Sequence, residues 1–230
     1  MTQEQLQEGQ VMLVNKPLKW TSFDVIGRLR SIFKIKKIGH AGTLDPLATG
    51  LLIVCTGKFT KKINEYMGME KEYTGTITLG ATTPTYDLES EPENFLATVS
   101  ITSNIIHATT LPFTGAILQT PPAHSAIKIG GKRVYELARM GMEVKMQPRP
   151  VTISVFEITR IALPEVDFRV ACSTGTYIRS LANDFGAALG VGGYLSSLCR
   201  TRIGPFLVED AKDPKEIAEE YGVVVKERKQ

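Results

Sequence analysis

The segment Lys36–Gly50 combines residue types that can do chemistry with types that let a ligand approach the backbone. It contains the histidine His40, the carboxylate Asp45 and three glycines. Glycine permits close approaches that a side chain would block, and Pro46 favours an extended Asp45. The order of residues is not that of a P-loop. By its spacing alone, the segment is typical of a tight surface loop whose aspartate caps a turn, with a catalytic carboxylate as the alternative.

Longer motifs extend the pattern beyond this loop. The string GHAGTLDPLATGLL, which begins at Gly39, resembles the signature of the TruB family of bacterial tRNA pseudouridine synthases. Further segments resemble the family in its own order, and the resemblance runs from Val11 to about Phe206. They are Lys71–Tyr73, Gln119–Pro122, Ser125–Lys128, Gly131–Lys132, Tyr135, Ala138–Arg139 and Cys172–Leu181.

The resemblance implies an isomerase that converts uridine 55 in the T loop of tRNA to pseudouridine. In that reaction the N-glycosidic bond breaks, the base turns and a C–C bond forms, without a metal or an organic cofactor. Asp45 corresponds to the essential carboxylate. An ionised carboxylate could attack the base at C6, bond to C1′ or remove the C2′ proton, and the sequence leaves these three paths open.

Two more residues are implied to be catalytic. Arg179 is expected to pair with Asp45, because a guanidinium favours the ionised carboxylate and fixes its direction. Tyr73 is expected to stack on the target base and to help remove its C5 proton. Without the motifs, an exposed arginine at a helix start and an ordinary strand tyrosine would be the simpler interpretations.

The resemblance also implies a substrate-binding set. His40 is expected to brace the gap left by the flipped uridine, and Tyr177 and Leu198 to wall the uracil pocket. Lysines and arginines should hold phosphates, foremost Lys16, Lys37 and Lys128 because they lie inside matching motifs. The wider set of candidates also includes Lys19, Lys36, Lys61, Lys62, Lys132, Arg133, Arg200 and Arg202.

The resemblance to the TruB family also suggests how the chain is organised. Residues 1–10 read as a polar N-terminal tail, and residues 11–206 as one catalytic domain of the pseudouridine synthase fold. Within it, residues 81–111 are expected to form an inserted segment that contacts tRNA. Residues 207–230 are too few for the C-terminal RNA-binding domain that many relatives carry, and predict a short helix and a basic tail. Lys19 stands where the family has a glycine.

Three hypotheses about the function of the protein remain. The preferred one is the uridine-55 isomerase, whose partner is the T stem-loop of tRNA. A non-catalytic tRNA-binding or tRNA-folding protein on the same scaffold is the alternative, and the retained Asp45, Tyr73 and Arg179 argue against it. An unrelated carboxylate-dependent hydrolase would need a second acid or a metal set, which no motif supplies.

Composition agrees with a globular protein. The 230 residues have a formal net charge of +3, and 43% are hydrophobic and 22% charged. No apolar run is long enough to span a bilayer, and the N-terminus lacks the pattern of a signal peptide. Three scattered cysteines argue against a disulfide framework and against a zinc cluster. We therefore expect a cytoplasmic protein without a metal site or a membrane partner.

The elements that would position these residues are readable in outline. Thr21 is expected to cap a helix that carries Asp24 three positions later, with an apolar face of Phe23, Ile26, Leu29 and Phe33. A glycine-rich loop is predicted over residues 39–50, followed by a buried strand. Strands outnumber long helices, and no helix separates each pair of strands, which favours an α+β fold with a mixed, mostly antiparallel sheet.

Overall fold

The computed structural model describes residues 2–122, 128–129, 132–133 and 146–221. The chain divides into two compact units. Unit 1 comprises Met1–Tyr73 and Leu198–Gln230, and unit 2 comprises Thr74–Ser197. Three predictions lie outside the described residues: a short helix through Tyr135, Leu137 and Ala138, the end of the last helix at Gly222, and the basic tail Lys226–Lys229.

Helices and strands alternate irregularly along the chain. The helices are α1 (Gln3–Glu8), α2 (Ser22–Phe33), α3 (Ile63–Gly68), α4 (Ser103–Thr109), α5 (Ile178–Ala188) and α6 (Pro214–Glu220). The strands are β1 (Val11–Lys16), β2 (Ile38–Ala41), β3 (Ala48–Thr56), β4 (Lys71–Leu79), β5 (Gly115–Gln119), β6 (Lys128–Ile129), β7 (Lys132–Arg133), β8 (Arg149–Ala162), β9 (Glu165–Cys172), β10 (Gly193–Ile203) and β11 (Phe206–Leu207). Strand β3 pairs antiparallel with β1 and β2 and parallel with β10, and β8 pairs antiparallel with β5 and β9. The predicted α+β fold with a mixed, mostly antiparallel sheet is confirmed.

Strand β3 is the centre of unit 1. One of its edges pairs antiparallel with β1, and the other pairs antiparallel with β2 and parallel with β10. The glycine-rich segment is therefore a hairpin connection rather than one long loop. Its ends belong to β2 and β3, and only residues 42–47 link the two strands. The predicted loop over residues 39–50 was too long, because its glycines tolerate strand geometry as well as turns.

Alternate side chains of β3 enter two different cores. Leu52 and Val54 pack with helices α2 and α6, whereas Leu51 and Ile53 pack on the other face of the strand with Tyr66 of α3. All four of these strand side chains are fully buried. Burial on both faces explains why this strand appears in the sequence as a continuous apolar run.

Helix α2 begins as the sequence predicts. Thr21 accepts a hydrogen bond from the Asp24 backbone N–H, and the Asp24 carboxylate accepts one from the Thr21 backbone N–H. The predicted apolar face is only partly right. Ile26, Leu29 and Phe33 are buried, but Phe23 is 66% exposed, because the buried stripe passes through Val25 and Ile32 instead.

The segment that reads as a polar tail contains the helix α1. Thr2 and Gln5 form a capping box at its start, and Leu6 is buried in the core that contains α2. The helix ends against Gly57, where a Cβ atom would lie 2.0 Å from the carbonyl oxygen of Gln7. The capping box, the burial of Leu6 and the close approach to Gly57 together position this helix.

Unit 2 is built on strands β8 and β9, which pair over most of their lengths. Strand β5 pairs with β8 on the other edge, and helix α5 packs on the pair through Phe185. The Phe185 ring meets the ring of Phe156 edge-on at 5.2 Å between centroids. Phe156 in turn contacts Phe168 of β9. This aromatic cluster fixes the helix that carries Arg179.

We expect Gly50→Ala to unfold much of unit 1. Gly50 has a φ of +98°, and a Cβ atom there would lie 2.4 Å from the Arg200 carbonyl oxygen. Strain and overlap together should lower the free energy of unfolding by about 3 kcal/mol or more, measured by urea denaturation. Gly27→Ala is the matched control, because that helical glycine has open space around it and should gain about 0.5–1 kcal/mol. Equal stabilities of the two variants would contradict this account of Gly50.

Candidate active site

The peptide around Asp45 is fixed on both sides by hydrogen bonds. The Ser22 hydroxyl accepts a bond from the Leu44 backbone N–H at 2.9 Å and donates to the Leu44 carbonyl at 3.3 Å. The Lys19 backbone N–H donates to the Pro46 carbonyl at 2.8 Å. Asp45 itself is half-buried. Its backbone direction is therefore set by groups distant in sequence, on the turn that leads into α2 and on the first residue of that helix.

Lys16 also bonds to this peptide, and its side chain is wholly buried, with 0% of its surface exposed. Its ammonium donates to the carbonyls of Pro17 (2.9 Å), Trp20 (2.5 Å) and Pro46 (3.3 Å). Burial lowers the pKa of Lys16 to about 8, and the Asp45 carboxylate acts in the opposite direction. An ammonium enclosed by three carbonyls cannot reach a phosphate, so the structure does not support the predicted phosphate contact of Lys16.

Arg200 is another buried cation of unit 1. Its Nε donates to the Leu51 carbonyl at 2.8 Å, and its Nη2 donates to the Gly42 carbonyl at 3.2 Å. Arg200 was also among the phosphate candidates, but it is only 1% exposed. Its guanidinium holds the start of the β2–β3 connection, because Gly42 is the first residue after β2.

His40 lies on β2 beside this connection. Burial lowers its pKa, the charge of Arg200 lowers it further, and a backbone hydrogen bond with Gly42 acts in the opposite direction. The imidazole is therefore neutral at pH 7. The exposed ring of Phe23 meets it edge-on, with 5.5 Å between the ring centroids. A neutral, half-buried ring suits stacking against a base better than it suits binding a phosphate.

The other predicted residues of unit 1 differ in exposure. Tyr73 is buried at the end of the unit, on β4, and Leu198 is half-buried on β10. Leu198 pairs with Ala48, the first residue of β3, and its carbonyl accepts a bond from the Thr49 hydroxyl at 3.3 Å. Lys37 is exposed. These contacts hold Leu198 beside the start of β3, the strand that follows Asp45 in sequence.

In unit 2, Arg179 lies buried in the first turn of α5. Its Nη1 donates to the Thr85 carbonyl at 3.2 Å, and its Nε lies 3.6 Å from Oδ2 of Asp87. Asp87 is equally buried, and its other oxygen accepts the Glu89 backbone N–H at 3.0 Å. Part of the segment 81–111, which was expected to contact tRNA, therefore holds Arg179.

The backbone of Tyr177 is fixed by an amide side chain. Gln119 accepts from the Tyr177 N–H at 2.8 Å and donates to the Tyr177 carbonyl at 3.0 Å. Ser180 adds a bond to the Thr120 carbonyl at 2.8 Å. Lys128 lies on the two-residue strand β6, for which only the backbone is described, so its phosphate contact stays a prediction.

Sequence reasoning missed two groups that hold predicted site residues or the backbone next to them. These groups are Ser22, which bonds to the backbone of Leu44, and Asp87, which lies beside the guanidinium of Arg179. Neither residue carries a local signal, because each acts on a backbone or side chain distant in sequence. The predicted pairing of Asp45 with Arg179 involves both units and stays a prediction.

Comparison with known proteins gives the class of this fold and site. Residues 30–178 match the model of the TruB family pseudouridylate synthase N-terminal domain. A Flavobacterium johnsoniae protein named tRNA pseudouridine synthase B is 56% identical, over 93% of this chain and 96% of its own. A Bacteroides fragilis protein of the same name is 51% identical, over 92% and 94% of the two chains.

A solved structure agrees with the sequence matches. An H/ACA RNP bound to a substrate RNA containing 2′-deoxyuridine superposes with a TM-score of 0.71 and 28% identity. The match covers 94% of this chain and 54% of that one, so the present chain spans about half of its length. The fold and the site thus define a pseudouridylate synthase. Within this class, the chain belongs to the TruB family.

None of the helices described is both long and apolar enough to cross a membrane. Within the same residues, no group of three or more His, Cys, Asp or Glu side chains is placed to hold a metal ion.

We expect the stability difference between the wild type and Lys16→Met to change with pH. The folded pKa of about 8 lies below the ordinary 10.5, so the unfolded chain binds more protons between these values. The wild type should therefore gain stability relative to the variant as the pH rises from 8 to 10.5, by up to about 3 kcal/mol. Urea denaturation of both proteins at pH 7 and pH 10 measures it. A difference that shrinks with pH would show that the three carbonyls favour the charged ammonium more than burial disfavours it.

Proposed function

We propose that this protein converts the uridine at position 55, in the T loop of tRNA, to pseudouridine. The observation that carries the proposal is the rigid connection around Asp45, which presents one carboxylate on a backbone held by Ser22, Lys19 and Lys16. A preorganised carboxylate suits a reaction that develops charge at a single sugar carbon. The relatives named tRNA pseudouridine synthase B support tRNA as the substrate.

The isomerisation needs no external reactant. The bond between N1 of uracil and C1′ of ribose breaks, the base turns, and C5 bonds to C1′. The proton on C5 leaves to solvent, and N1 takes up a proton, so atoms and electrons balance. Asp45 can serve as nucleophile at C6 or C1′, or as the base at C2′. Each path requires the ionised form of the carboxylate.

The other residues have supporting roles. Tyr73 stacks under the base and takes part in transfer of the C5 proton, and Arg179 orients Asp45. His40 fills the gap left by the flipped uridine with its neutral ring. Tyr177 and Leu198 line the apolar side of the uracil pocket, which keeps water from the reacting carbon.

RNA binding depends on exposed cations and on shape. Lys37 and Lys128 contact phosphates, which fixes the position of the stem-loop without reading its sequence. A folded T loop is recognised by its stacked and splayed bases. We place the protein in the cytoplasm, where its tRNA substrate is made.

The test is incubation of the purified protein with an unmodified tRNA transcript in EDTA. The transcript carries tritium at C5 of its uridines, and release of tritium to water measures turnover while chemical mapping locates the product. Pseudouridine at position 55 alone supports the proposal. Tight binding without product would instead support the non-catalytic tRNA-binding or tRNA-folding protein, and absence of binding would contradict both.

Asp45→Asn should abolish turnover and leave RNA binding within a fewfold of the wild type. The amide keeps the shape of the side chain but has no negative charge, so tritium release should fall on the order of 10³-fold or more. Circular dichroism melting checks that the variant folds. Asp210→Asn, a change of the same kind at an exposed position, should behave as the wild type. Substantial turnover by the Asp45 variant would exclude it as the catalytic group.

Tyr73→Phe separates stacking from proton transfer. The variant keeps the ring, so binding of the stem-loop should persist, while loss of the hydroxyl should slow tritium release about 10²-fold. Tyr73→Leu is the companion variant and should weaken both. If Tyr73→Phe turns over at the wild-type rate, the hydroxyl takes no part in proton transfer.

A further inference from the structure

Unit 1 contains a cavity of about 440 Å³. None of its lining residues belongs to the β2–β3 connection that carries Asp45. Four of the residues that line the cavity are lysines, and the N-terminal helix α1 supplies part of the wall. The lining includes Leu6, Gln7, Lys34, Lys36, Lys37 and Lys58. We call this feature the lysine cavity. Its volume is within the usual range for ligand sites.

The walls of the lysine cavity are fixed by backbone contacts. The Gly57 backbone N–H donates to the Lys37 carbonyl at 2.9 Å, which joins two sides of the cavity. The carbonyl of Gln7 lies so close to Gly57 that no side chain fits at this glycine. Leu6 is buried beside them. The cavity is therefore a built feature of the fold, because none of these contacts depends on the lysine side chains.

The charge of the cavity has one sign. Lys34, Lys36, Lys37 and Lys58 are all exposed, and the acid nearest to Lys58 is Glu8 at 4.0 Å, in a pair open to solvent. Exposed pairs of this kind contribute little. Ammonium groups gathered around a concavity repel one another, and an anion with several oxygens relieves that repulsion. Lysine acts as a point charge towards phosphate, so the arrangement favours a phosphate-bearing ligand.

The position of Lys37 along the chain indicates which kind of phosphate the cavity binds. Lys37 precedes His40 by three residues, and strand β2 begins between them. An extended chain covers about 3.3 Å per residue, so their Cα atoms lie within about 10 Å. RNA in which His40 fills the gap left by the flipped uridine therefore brings the phosphates next to that gap towards the cavity.

We propose that the lysine cavity binds the sugar–phosphate backbone of the substrate RNA beside the nucleotide that contacts His40. This rests on the proposed function for its choice of ligand. Lys34 and Lys58, with α1 as the wall, extend the RNA contact beyond the motif residues. The site adds affinity and register, and it reads no base.

The test is the salt dependence of binding. Lys34→Gln, Lys58→Gln and the double variant are titrated with a fluorescent T stem-loop between 50 and 200 mM KCl. Each lost phosphate contact should reduce the slope of log affinity against log salt by about 0.7–0.9. The double variant should therefore lose about 1.4–1.8 of slope and bind on the order of tenfold more weakly at low salt. Lys215→Gln, an exposed lysine on α6, is the control and should leave slope and affinity unchanged.

The outcomes separate this proposal from the proposed function. An unchanged slope in the double variant overturns the lysine cavity as an RNA site, whatever the wild type does to uridine. Binding of the stem-loop without pseudouridine formation in the wild type contradicts the isomerase, while the slope still decides the cavity. Titration with adenosine triphosphate covers the other source of phosphate. Nucleotide binding that is lost in the double variant, with the RNA slope unchanged, would assign the cavity to a free nucleotide and overturn the proposal.

Discussion

The structure of unit 1 depends on hydrogen bonds to one short stretch of backbone. The connection between β2 and β3 has neither helical nor strand bonding of its own, so its carbonyls and N–H groups need partners elsewhere. Arg200 binds the carbonyl of Gly42, and Ser22 binds both backbone groups of Leu44. Lys16 and Lys19 bind the carbonyl of Pro46. A carboxylate placed among such groups loses little conformational freedom when a substrate arrives, which is the basis of catalytic preorganisation.

Two of those partners are buried cations, and their burial has an electrostatic consequence. Removing a lysine and an arginine from water is costly unless their protons find acceptors. Backbone carbonyls satisfy the protons of Lys16 and Arg200 without neutralising the charges, so both charges still act on their surroundings. The pKa of Lys16 reflects this: burial lowers it most, the Asp45 carboxylate raises it, and the charge of Arg200 lowers it further. Lys16 therefore both holds the connection through hydrogen bonds and interacts electrostatically with the Asp45 carboxylate.

Features that depend on residues close together in sequence could be predicted, and features that depend on residues far apart in sequence could not. The cap of α2 was predictable because Thr21 and Asp24 interact within one turn. The buried character of β3 was predictable from its apolar run. The exposure of Phe23 was not, since helical spacing allows several stripes and the partner surface selects one. The carbonyl contacts of Lys16 and Arg200 were not predictable, because a cation that binds distant carbonyls has the same local sequence as one that binds phosphate.

Lys19 shows how a departure from a family pattern can leave geometry intact. This lysine has a φ of +65°, the left-handed conformation for which a glycine is the usual choice. A residue with a Cβ atom pays a modest strain there, and its backbone N–H still donates to the Pro46 carbonyl at 2.8 Å. That bond helps fix the peptide next to Asp45, so the position is constrained by its backbone and its side chain is free to vary. The exposed lysine side chain adds a positive charge beside the candidate site at the cost of that strain.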